Sequence, residues 1–240
     1  MSRLAITTAC LDIAGTTVAD DGAVQEAFTA ALADAGMAAG DRAMSVVRDA
    51  MGQSKIEVFR RVLGDEAAAR RANLAFERHY ADAIAAGEIS PIPGAAETIL
   101  ALRAAGIRGC LATGFSPATR DAVIDALGWR PLIDLALSPA DVGRGRPWPD
   151  LPLTALIRLG GGAVSELAVV GDTASDIESG LRAGAGIVVG VLTGSGTQKA
   201  LLAAGAPHIL PAITGLTGLL GLGPALTEPV RSPSEPAAGR

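Results

Sequence analysis

The fold class of this chain is decided by the segment LAITTACLDIAGTT, residues 4–17. Its first part, residues 4–11, is an apolar and β-branched run that predicts a buried strand ending at Asp12. Residues 14–16, Ala-Gly-Thr, then predict a turn. A carboxylate that ends a strand before glycine and hydroxyl residues is typical of a nucleophile or a metal ligand beside an anion-binding turn. A turn with only a capping role fits the same residues about equally well.

Beyond residue 93, short apolar runs alternate with segments of helical pattern. This alternation predicts an α/β fold with a doubly wound, Rossmann-like parallel sheet covered on both faces. The later strands are predicted at residues 107–112, 133–137, 168–171, 187–191 and 208–210. The helices are predicted at residues 94–105, 117–127, 150–159, 175–183, 197–204 and 212–220. Ligands in such sheets bind beyond the carboxyl ends of the strands, so the polar loops at those ends form the candidate site.

An insertion separates the first strand from the rest of the predicted sheet. Residues 23–87 are Ala-rich and carry a helical pattern without a strand signal, and the Pro- and Gly-rich segment 90–94 predicts a hinge. We therefore expect an all-helical cap domain over the edge of the sheet. The predicted domains are a core of residues 1–18 and 94–222, a helical cap of residues 19–93, and a flexible C-terminal tail of residues 223–240.

Composition and charge exclude several function classes. The net charge is −5 with a pI of about 5.1, and no Lys/Arg cluster exceeds two residues, so neither nucleic acid nor an anionic membrane is an expected partner. The mean hydropathy is +0.37, but no apolar run approaches the roughly 20 residues of a spanning helix. We expect a soluble protein. Cys10 and Cys110 lie in apolar segments and no secretory segment is recognisable, which predicts a cytoplasmic location.

Two further loops carry groups suited to phosphate chemistry. Thr113 and Gly114 follow a predicted strand and precede a helix, where a hydroxyl and a backbone N–H can hold a phosphate oxygen, although Thr-Gly is also an ordinary turn. Residues 170–176, VGDTASD, place Asp172 and Asp176 four residues apart. Like charges repel, so this spacing favours a divalent cation, and oxygen ligands favour Mg²⁺. Asp176 alternatively stabilises the first turn of a helix.

Lysine is rare in this chain, since only Lys55 and Lys199 accompany the arginines. A retained lysine is a candidate for amine chemistry that arginine cannot perform. The sequence from Ser54 to Glu57 fits a capping box, which predicts a helix starting at Ser54 with Lys55 in its first turn. The positive end of a helix and a closed apolar site both disfavour an ammonium, so we expect a lowered pKa for Lys55. The alternative is a lysine on the cap surface that attracts an anionic substrate.

The three loops, with a basic residue at Arg146 between the second and the third, resemble the haloacid dehalogenase superfamily of phosphotransferases. The resemblance implies that Asp12 attacks phosphorus, with Thr113 and Arg146 as further catalytic residues. The residues that it implies for substrate or phosphate binding are Thr16, Met51, Gly52, Thr113, Gly114 and Arg146. The residues that it implies for the Mg²⁺ site are Asp12, the backbone carbonyl of Ala14, and Asp172, supported by Thr173 and Asp176.

Two departures from most phosphatases of that superfamily resemble its phosphonatase branch, phosphonoacetaldehyde hydrolase. A second Asp two residues after the nucleophile is replaced by Ala14, and the basic residue between the second and third loops is Arg146, within Gly-Arg-Pro-Trp-Pro at residues 145–149, instead of Lys. That branch uses a cap lysine within Met-Gly-x-x-Lys to form a Schiff base with the substrate aldehyde, and residues 51–55 read Met-Gly-Gln-Ser-Lys. The branch typically has His and Tyr where this chain has Val58 and Phe115.

The expected function is a Mg²⁺-dependent hydrolase that forms an aspartyl-phosphate at Asp12 and acts on a small carbonyl phosphonate through a Lys55 Schiff base. Breaking a P–C bond next to an iminium expels an enamine, which needs no acid at Ala14. The alternatives are a phosphomonoesterase for a small ester such as phosphoglycolate, and a phospho-accepting regulator. An apolar patch at residues 27–35 of the first cap helix is compatible with a homodimer.

Overall fold

The computed structural model describes residues 6–19 and 22–222. In chain order its strands are β1 (Thr8–Asp12), β2 (Val18–Ala19), β3 (Ser90–Pro91), β4 (Arg108–Ala112), β5 (Leu135–Leu137), β6 (Leu167–Gly171), β7 (Ile187–Val191) and β8 (His208–Leu210). Its helices are α1 (Ala23–Asp34), α2 (Asp41–Asp49), α3 (Lys55–Leu63), α4 (Glu66–Ala86), α5 (Ala95–Ala104), α6 (Pro117–Ala126), α7 (Asp150–Arg158), α8 (Ala174–Arg182), α9 (Gln198–Ala203) and α10 (Leu216–Leu219). None of these helices combines the length and the apolar character needed to cross a membrane.

Six of the strands form one parallel sheet in the order β5-β4-β1-β6-β7-β8, which confirms the predicted doubly wound fold. Strand β1 lies inside the sheet, between β4 and β6, and all five of its residues are buried. Ala9 and Leu11 pack into one apolar cluster and Cys10 into a second cluster, so both faces of the sheet are covered. The register places Asp12 beside Ala112 of β4. The loops after β1, β4 and β6 therefore meet at one edge.

Most predicted strands and helices lie within one residue of their observed positions, and the exceptions have local causes. Strand β1 begins at Thr8, and residues 4 and 5 of the prediction lie outside the described residues. Strand β5 begins at Leu135 because the Asp134 carboxylate accepts the Gly109 N–H at 2.8 Å and replaces a backbone acceptor. The helix predicted at 212–220 is a 3₁₀ turn followed by the short α10, since glycine is a poor helix former at positions 215 and 218.

The helices α1–α4 follow one another between β2 and β3, as predicted for the cap. Strands β2 and β3 pair antiparallel where the chain passes from the sheet to these helices and back. In the segment 27–35, Ala27, Phe28, Ala31 and Leu32 are buried, with Phe28 against α3 and α4, whereas Ala33 is exposed. The domain boundaries and the homodimer remain predictions. The predicted flexible tail lies outside the described residues.

Candidate active site

Three buried carboxylates meet at the carboxyl edge of the sheet. Asp12 ends β1, Asp172 follows β6 and Asp176 lies in the first turn of α8. One oxygen from each lies within 4.8 Å of the others. Burial raises the pKa of Asp12 well above its ordinary range, Arg146 opposes that shift, and Asp176 and Asp172 add to it. Burial and the charge of Asp176 raise the pKa of Asp172 to about 7.

This cluster has the chemistry of a divalent-cation site. Burial and mutual repulsion both disfavour the charged form of these carboxylates. A bound cation that prefers oxygen ligands, such as Mg²⁺, would offset both effects. The main chain approaches the Asp172 carboxylate closely at two glycines. A Cβ built on Gly15 would lie 2.8 Å from this carboxylate, and one built on Gly194 would lie 2.1 Å from it, so a side chain at either position would crowd the site. Ala14 lines the same cavity as Asp12 and Asp172. The residues present therefore fit Mg²⁺, and the role of the Ala14 carbonyl stays a prediction.

Arg146 holds two of the three carboxylates in place. Its Nη1 donates to Asp12 Oδ1 at 2.6 Å, its Nη2 donates to the Ala112 carbonyl at 2.8 Å, and its Nε lies 2.8 Å from Asp176 Oδ1. Burial by itself lowers the pKa of Arg146, but the charges of Asp176 and Asp12 raise it above its ordinary value. Arg146 therefore stays cationic and orients the Asp12 carboxylate.

Asp176 makes the contacts predicted for it at the start of a helix, and it also lies in the carboxylate cluster. Its Oδ2 accepts the Thr173 backbone N–H at 3.1 Å, while the Thr173 hydroxyl accepts the Asp176 N–H, so the two residues form a capping box at the start of α8. Its other oxygen lies against Arg146 within the carboxylate cluster. The same side chain thus starts the helix and fixes the position of the guanidinium.

The threonines predicted to bind phosphate are both buried at the site. Thr16 donates its hydroxyl to Asp172 Oδ1 at 3.4 Å. It thus contacts residues 170–176, the acidic loop that carries Asp172 and Asp176. Thr113 accepts the Phe115 N–H at 3.2 Å and lines the cavity together with Gly114. Ser195 is absent from the predicted site residues, yet its N–H and hydroxyl both donate to Asp172 Oδ2, at 2.8 and 3.2 Å. Its sequence signal is the Gly-Ser-Gly-Thr loop at residues 194–197, shortly after the strand predicted at 187–191.

A cavity of about 340 Å³ joins the core loops to the cap. The predicted site residues that line it are Asp12, Ala14, Met51, Gly52, Lys55, Thr113, Gly114, Asp172 and Thr173. Thr16 and Arg146 are hydrogen-bonded to carboxylates of this lining, and Asp176 lies within 4.8 Å of them. The structure therefore brings the nucleophile candidate of the core and the lysine candidate of the cap to one cavity.

Lys55 is surrounded by aromatic rings. It is the first residue of α3 and is 8% exposed. Its Nζ lies 4.9 Å from the ring centroid of Phe115, 5.6 Å from that of Phe28 and 6.0 Å from that of Phe76. The faces of such rings attract a cation. This enclosure depends on the folding of the cap and has no signal in the local sequence.

The capping box predicted at the start of α3 is wrong in its contacts. The helix does begin after Ser54, but the Ser54 side chain makes no capping hydrogen bond. Glu57 instead pairs with Arg60, which also binds Glu66 at 2.7 Å. The exposed carboxylate of Glu57 gains a charged partner there, which competes with the backbone N–H of the box.

Comparison with known proteins places these features in a family context. The family model for haloacid dehalogenase-like hydrolases matches residues 6–184. A phosphonoacetaldehyde hydrolase-like protein of Syntrophobacter fumaroxidans is 36% identical over 107 residues, which are 43% of this chain and 38% of that protein. A phosphonoacetaldehyde hydrolase of Parabacteroides distasonis is 36% identical over 109 residues, 44% of this chain and 40% of that protein. The matched stretch thus spans about two fifths of the length of these curated relatives.

A solved structure extends the likeness over most of the chain. The phosphonoacetaldehyde hydrolase-like protein of Oleispira antarctica superposes with a TM-score of 0.80 at 26% identity, covering 90% of this chain and 92% of that one. The fold is thus shared along nearly the whole described region.

Proposed function

Because this chain belongs to the haloacid dehalogenase-like hydrolases, we propose that it is a Mg²⁺-dependent hydrolase that cleaves the P–C bond of a small carbonyl phosphonate. Asp12 accepts the phosphoryl group and Lys55 forms a Schiff base with the substrate carbonyl. The observation that carries the proposal is that Asp12 and Lys55 line one cavity of about 340 Å³ while position 14, which lines it as well, is alanine. The names of the partly matching relatives agree with this substrate class.

The proposed chemistry uses groups of this chain for both covalent steps. The Lys55 amine adds to the carbonyl carbon, and loss of water gives an iminium. A carboxylate oxygen of Asp12 attacks phosphorus, the P–C bond breaks, and its electron pair forms a C=C bond as the iminium nitrogen becomes neutral. Protonation of the resulting enamine at carbon and hydrolysis of the imine restore the Lys55 amine. Water then cleaves the aspartyl-phosphate and releases inorganic phosphate.

The residues around Asp12 and Lys55 support these steps. Arg146 binds Asp12 Oδ1 and so fixes the direction of the carboxylate. The Phe115 and Phe28 rings face the Lys55 nitrogen, and they stabilise an iminium as they do an ammonium, because both carry a positive charge. Asp12, Asp172 and the Ala14 carbonyl would hold Mg²⁺, which when bound offsets the charge of the phosphoryl oxygens.

A phosphomonoesterase is the second candidate. Val58 lies one helical turn after Lys55 and is 1% exposed, and Phe115 also offers only apolar atoms, so neither side chain can transfer a proton during imine formation. In this candidate Lys55 only attracts the anionic end of a phosphate ester. A predicted phosphoglycolate phosphatase of Haemophilus somnus shares the fold with a TM-score of 0.76 at 18% identity, covering 89% of this chain and 97% of that one.

Borohydride trapping separates the two candidates. The protein is incubated with Mg²⁺ and phosphonoacetaldehyde, inorganic phosphate is measured, and borohydride is added to reduce any imine. We expect phosphate release and a reduced adduct on the peptide that contains Lys55, with none on the peptide that contains the exposed Lys199. Phosphate release from phosphoglycolate or p-nitrophenyl phosphate alone, without an adduct, would establish the esterase. A stable aspartyl-phosphate without turnover would indicate a regulator.

A further inference from the structure

The loop that precedes α3, residues 51–54, lies directly on two loops of the core. A Cβ built on Gly52 would lie 2.4 Å from the Thr173 hydroxyl. A Cβ built on Gly114 would lie 2.2 Å from the Gln53 carbonyl oxygen. Both approaches require glycine, because real Cβ atoms do not come so close to backbone or hydroxyl oxygens. This cap loop is therefore docked on the core in the structure.

One side-chain hydrogen bond crosses from the cap loop to the acidic loop of the core. Gln53 Nε2 donates to Ser175 Oγ at 3.2 Å, between residues 122 positions apart in the chain. Gln53 is 8% exposed and Ser175 is 5% exposed. A buried amide needs a partner, because an unmet one loses its bonds to water. The Gln53 side chain therefore favours the position of the cap loop in which Ser175 lies within reach.

The position of Gln53 transmits this preference to Lys55. Only Ser54 separates the two residues, and Lys55 begins α3. The Lys55 backbone N–H also donates to the Gly114 carbonyl, at 3.3 Å. A displacement of the cap loop from Ser175 would thus move the lysine relative to Asp12.

We propose that the hydrogen bond between Gln53 and Ser175 is a latch that positions Lys55 at the cavity. Gln53 and Ser175 are positioning residues, and neither takes part in a covalent step. The role of the latch in imine formation rests on the proposed function. Its role in holding the cap loop against the core is independent of the proposed function.

Amide hydrogen exchange tests the latch without a substrate. Gln53→Leu removes the donor with little change in side-chain volume, and Ser175→Ala removes the acceptor. In each variant we expect the peptide that spans residues 51–56 to exchange about threefold to tenfold faster, as expected for loss of one hydrogen bond of ordinary strength. The double variant should match either single variant, because the two side chains act on each other.

Asn73→Ala is the matched control. Asn73 donates to Glu77 at 2.9 Å, so this variant also removes a side-chain hydrogen bond of the cap, but one that stays within α4. Its peptide at residues 51–56 should exchange at the wild-type rate. Unchanged exchange in both latch variants, or a double variant that multiplies the two single effects, would overturn the latch. Thermal unfolding confirms that each variant is folded before exchange is measured.

The rate of borohydride-trapped adduct formation then tests the positioning of Lys55. We expect both latch variants to lower this rate by the same factor, about threefold to tenfold, with KM for the phosphonate changed less than kcat. Trapping at the wild-type rate in both variants would overturn the positioning role and leave the proposed function intact. If the wild-type protein forms no adduct while exchange rises in the variants, the latch stands and the Schiff base fails.

Discussion

Replacing Arg146 by methionine removes a buried cation from between two carboxylates. The Arg146 side chain is 4% exposed, and it lies 2.6 Å from Asp12 Oδ1 and 2.8 Å from Asp176 Oδ1. Methionine keeps an unbranched apolar stem but lacks the guanidinium group. The Asp12 and Asp176 carboxylates would stay buried without this counter-charge, which makes the change a direct measure of the charge balance in the site.

We expect this variant to be severely destabilised in the absence of metal. Removing one partner of a buried ion pair costs about 3–5 kcal/mol. The free energy of unfolding of a folded domain is about 5–15 kcal/mol, so this loss is a large fraction of the total. For a chain of this length the corresponding fall in Tm is roughly 6–20 °C.

The loss depends on pH with a defined sign. Burial raises the pKa of Asp12 in the folded state, and Arg146 opposes that shift. A carboxyl with a raised folded pKa binds its proton more tightly when folded, so stability decreases as pH rises from the ordinary carboxyl range to the raised pKa. Without Arg146 the pKa of Asp12 rises further, and the decrease extends to higher pH. The difference between wild type and variant should therefore be smaller at pH 5 than at pH 8.

Urea unfolding followed by circular dichroism, with EDTA present, measures both effects. Arg144→Met is the matched control, because Arg144 pairs with Asp150 at 2.7 Å but its side chain is 55% exposed. We expect a far smaller change for the control, independent of pH between 5 and 8. An Arg146→Met variant as stable as Arg144→Met, or a loss that does not grow with pH, would refute the charge balance inferred for the site.

Three further predictions concern the lysine, the acidic loop and the cap loop. Lys55→Arg keeps the charge but cannot form an imine, so phosphonate turnover should fall to background while Mg²⁺ binding, measured by calorimetry, persists. The pKa of Asp172 is raised to about 7. The free energy of unfolding of the metal-free protein, measured in urea, should therefore fall by a few kcal/mol as the pH rises from about 4 to about 7, and saturating Mg²⁺ should remove this pH dependence. Gly52→Ala should lower kcat/KM at least tenfold, because its Cβ would clash with Thr173, whereas Gly64→Ala shares the positive φ without the clash and should stay near wild type.

The sequence predicts the core of the site because that core follows a general rule. Asp12, Thr113 and Asp172 each come directly after a short apolar run, and parallel strands end at the same edge of a sheet. A different signal indicates Lys55, namely the near absence of lysine from the chain together with the motif around this residue. The only sequence signal for Arg146 is the motif in which it lies.

Contacts made only after the cap folds had no such signal. Gln53 and Ser175 are 122 positions apart, and no periodicity connects them. The rings around Lys55 come from three separate segments, so local sequence cannot show the enclosure. The capping box at Ser54 is wrong for a local reason, because Arg60, three residues further along the same helix, gives Glu57 a charged partner.

The central position of β1 has a consequence for the order in which this chain folds. Its two neighbours in the sheet, β4 and β6, begin about 100 and about 160 residues further along the chain. The helices α1–α4 are made before either neighbour, and they pack mainly on one another, with α4 against α1 and α3. During synthesis the cap helices are therefore complete before either strand that pairs with β1 has been made. Pairing between strands so far apart in the sequence is slow. Strand β1, which ends in the proposed nucleophile Asp12, therefore stays without its sheet partners until first β4 and then β6 have been made.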